Sequence, residues 1–126
     1  MTVLRQPTTM GDMLKYELNP NFTRETITLL AGTAYPVGAV LGKITASGKY
    51  KLATSGGSDG AQTAAAVLLY EVDAAEADAT AIILARGPAI LSKAALVFDA
   101  TVDDDAKIAT KHGQLTALGI IPRDSA

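Results

Sequence analysis

Four groups of residues in this 126-residue chain have types and spacings that invite chemistry. The first is Gly38, Gly42 and Lys43 in "VGAVLGKIT" (37–45). A phosphate-binding loop places four residues between its glycines and a hydroxyl residue after its lysine. Backbone N–H groups then curl around the phosphates and the hydroxyl reaches a magnesium ion. Here three residues intervene, and Ile44 stands where the hydroxyl belongs. A phosphate loop also opens a helix, whose N-terminus supplies the positive end of a dipole. The following "ASGKYKLAT" reads instead as a turn and a second strand, so the stretch is predicted to be a hairpin.

The second is His112, the one histidine. Acid–base work would need a nucleophile or carboxylate beside it. The sequence has no Gly-x-Ser-x-Gly elbow, no cysteine and no His-x-x-x-His pair. His112 reads as a boundary residue of a helix. The third is the acidic run Asp99, Asp103, Asp104 and Asp105, which lacks the alternate aspartates, central glycine and bidentate glutamate of a calcium loop. Helix capping explains it. The fourth is Lys49, at the hairpin tip where carrier domains hold lipoyl or biotinyl groups. The flanking methionines or acidic turn of such domains are missing: Ser47-Gly48 precede and Tyr50 follows. The reading is therefore that no residue is catalytic, none binds a metal, and no cofactor is required.

Composition narrows the remaining classes. Hydrophobic residues make up 48% and charged residues 19%, as in a folded domain. The net charge of −2 offers no broad basic surface for duplex nucleic acid or anionic lipid, so neither is expected as a direct partner. The opening residues lack the basic start and apolar run of a signal peptide. "AAAVLLY" (64–70) is too short to cross a bilayer, which predicts a soluble chain that stays where it is made.

The elements that would position these groups are mostly strands. "TRETITLL" (23–30) alternates, with Ile27 and Leu29 on one face. "AVLGKIT" (39–45) and "KYKLAT" (49–54) flank a short Gly-containing turn, a hairpin signature. "SGGSDGAQ" (55–62) is a polar loop. "AAAVLLYEV" (64–72) and "ATAIILAR" (79–86) form a second pair joined by an acidic loop. Both are apolar on both faces, which implies cover on both sides; a second copy of the chain is the expected cover. Pro88 marks a bend or sheet edge. One helix is predicted over 104–118, capped by Asp103. Its apolar face carries Ile108, Leu115 and Leu118, and Lys111 snorkels at the border. A short strand ends at Pro122. Residues 1–22 carry scattered apolar groups (Val3, Leu4, Met10, Met13 and Leu14) without a sustained period, and read as an extended arm preceding a β-rich domain over 23–126.

Five segments carry a resemblance: "NPNFTRETITL", "GAVLGKITASGKYKL", "DGAQTAAAVLLYEVDA", "ILARGPAIL" and "LTALGIIPR", in this order across residues 19–123. The chain resembles phage head decoration proteins of the lambda protein D family. The resemblance implies a mainly β domain of β-clip or β-tulip type with one C-terminal helix and an extended N-terminal arm. It implies a homotrimer on the outer surface of the virion capsid, cementing the major capsid protein of the expanded head against internal DNA pressure. It also implies that the arm lies on the capsid, making Val3, Leu4, Met10, Met13 and Leu14 the candidate contact residues. The arm, "TVLRQPTTM" with Met13-Leu14, reads differently from the family's. The alternative is a small β-domain carrier or binding module of a bacterial complex, using Lys49 or the 55–62 loop.

Overall fold

Short apolar runs, some alternating and some apolar on both faces, set up short strands. The computed structural model describes residues 10–124. It begins with a helical turn, α1 (Met10–Met13), then β1 (Leu14–Glu17) and a second turn, α2 (Pro20–Thr23). Asn19 caps α2 by accepting a hydrogen bond from the Asn21 N–H, and Pro20 supplies the preset first helical position. Strands β2 (Arg24–Leu29), β3 (Thr33–Tyr35), β4 (Val40–Lys43), β5 (Tyr50–Leu52), β6 (Ala64–Leu68), β7 (Val72–Ala74), β8 (Ala79–Leu84) and β9 (Ala89–Ser92) follow. A 3-10 turn (Lys93–Ala95), the helix α3 (Asp105–Ala117) and β10 (Ile120–Arg123) complete the described chain. The expected class, mainly β with one long C-terminal helix, is the observed one.

Five strands close into a barrel in the order β2-β5-β4-β6-β8. The predicted hairpin is β4 against β5, with Leu41 opposite Leu52 and Lys43 opposite Tyr50. β6 and β8 pair antiparallel as expected, but the segment between them is more than an acidic loop. It contains β7, which pairs with β3 in a separate two-stranded ribbon. The third sheet has the order β1-β9-β10. Pro122 is tolerated in β10 because that strand is an edge.

Two hydrophobic clusters sit on opposite sides of the barrel wall. One contains Leu29, Tyr35, Leu41, Leu68 and Ile83. The other contains Met13, Val40, Val67, Leu84, Leu91, Leu115 and Ile120, joining the wall to the three-stranded sheet and α3. Val67 and Leu68, adjacent in β6, belong to different clusters and are both fully buried. This corrects the inference that the two-faced strands need a second copy as cover. Nearly all of that cover is intramolecular, supplied by elements distant in sequence; of the apolar residues of β8, Ile82 stays exposed.

Candidate functional site

The residues singled out for chemistry occupy structural positions. Gly42 lies in β4, where a Cβ would overlap the backbone of Ala61. Gly38 has φ +86°, and a Cβ there would overlap the Ala95 carbonyl. The two glycines therefore serve close backbone approach and a turn, and no helix follows Lys43. The Lys49 ammonium lies 2.5 Å from the Asp78 carboxylate, pinning the hairpin tip to the start of β8. Asp78 also accepts from the Ala31 N–H, and its hydrogen bond from Lys49 holds its carboxyl below the usual value.

The acidic run is divided among separate tasks. Asp99 accepts from the Thr101 N–H and hydroxyl. Asp103 pairs with Lys107 at 2.9 Å. The α3 cap is Asp104, not Asp103. Its extended backbone, φ −139° and ψ 168°, lets its carboxylate accept from the Lys107 N–H. Among the described residues no cluster of three or more His, Cys, Asp or Glu is placed to hold a metal ion. Among them, too, no helix is long and apolar enough to cross a membrane.

His112 is half-buried, its ring 5.8 Å from that of Phe98 and tilted against it. Its Nε2 is buried without a hydrogen-bond partner. Burial, reinforced by nearby Lys93 and opposed by Asp124, pushes its pKa below the ordinary histidine value. Lys111 also departs from the sequence expectation. It does not snorkel: it is 2% exposed, and its ammonium donates to the Gln62 carbonyl and, at 3.4 Å, to Gln114 Oε1. Gln114 Oε1 also accepts from the Ala64 N–H. Lys111 and Gln114 thus tie α3 to the end of the glycine-rich loop and the start of β6, and burial lowers the lysine's pKa.

The arm residues divide. Val3 and Leu4 lie outside the described residues. Met10 packs, partly buried, against the second cluster, and Met13 is fully buried inside it. Leu14 is half-buried and pairs with Leu91 in the β1–β9 ladder. This corrects the reading of Met13 as an arm contact, because its side chain meets the chain's own core. Residues 10–22 are part of the folded domain. Glu17 anchors the same region: burial raises its pKa, but hydrogen bonds from Arg24 and Thr23 outweigh that and leave it lowered.

The exposed large apolar groups include Tyr16, Leu18 and Phe22 around β1 and α2, with Tyr70, Ile82, Leu118 and Ile121 elsewhere. Phe22 carries the Arg86 guanidinium 5.5 Å above its ring, and Arg86 pairs with Glu25 at 2.9 Å. What the described residues offer is thus a β-rich domain with apolar and charged surface, with β1 at one sheet edge.

No curated protein matches the chain. The family model for bacteriophage lambda head decoration protein D matches it over residues 3–120, from the N-terminal segment into the first residue of β10. The chain therefore belongs to the bacteriophage lambda head decoration protein D family, proteins that decorate the phage capsid.

Proposed function

We propose that the protein is a homotrimeric cement. Three copies sit at each three-fold position on the outer surface of the expanded head, bridge neighbouring major capsid proteins, and hold the shell against packaged DNA. The observation that carries this reading is the family match, which takes in residues 3–9 together with the folded domain.

The capsid-binding arm is residues 1–9, with Val3 and Leu4 as its apolar contacts. Burying each apolar side chain contributes about 1.5–3 kcal/mol before ordering costs. One such arm binds weakly. Three arms on one trimer make the later contacts intramolecular, which raises avidity by about 10²–10⁴.

Co-sedimentation with empty heads tests the reading, comparing the full chain with one lacking residues 1–9. Saturable binding of the full chain to expanded heads, lost on deletion, is the expected result. Equal binding to unexpanded shells would refute the dependence on expansion, and undiminished binding of the shortened chain would refute the arm.

A further inference from the structure

The outer face of the three-stranded sheet carries an apolar row. Register places Tyr16 opposite Ile90 and Ile90 opposite Ile121, so the three side chains lie side by side across β1, β9 and β10. Tyr16 is 47% exposed and Ile121 36%. The flanking rows, Leu14–Leu91–Pro122 and Glu17–Ala89–Ile120, point inward or are half-buried. Three exposed cations border the row. Lys15 is the extra residue where β1 slips register, Arg123 lies two residues beyond Ile121 on the same face, and Lys93 follows Ser92, the partner of Arg123. None of the three is in an ion pair among the described residues, where Lys49, Lys51, Arg86 and Lys107 all are. Lys15, Arg123 and Asp124 rim a shallow hollow floored by Ile90 and Leu91.

The β3–β7 ribbon has the complementary character. Glu71, Asp73 and Glu76 are exposed and in no ion pair among the described residues. Glu71 and Asp73 rim a hollow lined by Ala34 and Val72, with half-exposed Tyr70 beside it. The basic face belongs to the layer around Met13 and Leu115, and the ribbon to the cluster around Tyr35 and Ala74. The two surfaces are thus built on different layers of one chain.

We propose that these surfaces are two halves of one interface between copies of this chain. The Tyr16–Ile90–Ile121 row with Lys15, Lys93 and Arg123 of one copy docks on the 70–76 segment of the next. An apolar row flanked by cations, with Asp124 the one carboxylate on its rim, meets an apolar hollow flanked by carboxylates, and such complementarity selects a partner and fixes its register. Because the halves differ, the contact is heterologous and repeats around a ring until the rotation closes. The inference rests on the homotrimer reading and supplies the surfaces that make it.

Carbodiimide coupling of the native protein tests this directly, because it joins a lysine amine to a carboxylate only where the two touch. It is run on decorated expanded heads and on the concentrated protein without heads, and cross-linked peptides are read by mass spectrometry. Links within one chain at Lys49–Asp78 and Lys107–Asp103 verify the reagent. The expected result is links between chains joining Lys15 or Lys93 to Glu71, Asp73 or Glu76. The double variant Lys15→Glu with Arg123→Glu should weaken self-association, read by analytical ultracentrifugation, more than about tenfold, since like charges brought together cost several kcal/mol. Adding Glu71→Lys and Asp73→Lys to that variant should restore association. Links between chains through other residues, or none in either setting, would overturn the inference. So would failure of the four-fold variant to re-associate. Head binding is scored separately by sedimentation, so a chain that binds heads but links elsewhere refutes these surfaces and not the decoration function.

Discussion

Replacing Met13 by Ala separates a docked segment from a free arm. Met13 lies four residues into the described chain, yet it is fully buried with Val40, Leu91, Leu115 and Ile120 in its cluster. Truncating a buried Met to Ala costs about 2–5 kcal/mol, the lost transfer energy plus the cavity left behind. The cluster is walled by the barrel, the β1–β9–β10 sheet and α3, which limits collapse and places the cost in the upper half of that range. For a domain of this size each kcal/mol lowers the melting temperature by about 3–5 °C, so a drop of about 10 °C or more is expected. Urea denaturation followed by far-UV circular dichroism gives the same quantity as a shift in midpoint at constant slope. Deleting residues 1–9 is the paired control and should leave the midpoint nearly unchanged. A Met13→Ala protein as stable as the parent would refute the burial of α1 and return residues 10–14 to the arm. A large loss on deleting 1–9 would show that the earlier residues also belong to the core.

Leu115→Ala should cost about 2–5 kcal/mol by the same measurement, because Leu115 is the fully buried apolar residue through which α3 meets the second cluster. Gly42→Ala should destabilise more than its single methyl suggests, since the new Cβ runs into the Ala61 backbone; an unshifted midpoint would refute that close approach. His112 should make stability fall in acid. Its folded pKa lies below the unfolded value, so the unfolded chain binds the proton more readily. The contribution is complete above the unfolded pKa of about 6.5 and is lost as pH falls below it. His112→Gln should flatten that part of the stability–pH curve, and an unchanged slope would assign it to other groups.

What was legible in the sequence was local. The β4–β5 hairpin could be read because Gly48 and the alternation of Tyr50 and Leu52 with lysines act over a few residues. The helix could be read from its period. What was missed depends on contacts between distant segments. Lys111 carries a charge and so reads as solvated, but its acceptor, the Gln62 carbonyl, lies 49 positions away. The strands apolar on both faces suggest an external cover because nothing in β6 announces that α3, from the far end of the chain, will pack against it. Met13 looked unattached because α1 gives way to β1 within four residues, too few for any period to show. The candidate contact surface was the least legible part. A row such as Tyr16–Ile90–Ile121 exists only once three strands from opposite ends of the chain are set in register.

The depth of Met13 also has a mechanical meaning. A pull applied at Met10 meets α1 before it meets any strand. Tension would therefore be taken up by a side chain wedged among Leu91, Leu115 and Ile120, instead of peeling β1 from β9 one hydrogen bond at a time. A ladder loaded at its end unzips in small steps, whereas a buried wedge yields only when the packing around it opens together. The segment is in effect bolted to the domain behind the sheet edge, and the force it can bear is set by the core and not by the four-residue strand that follows it.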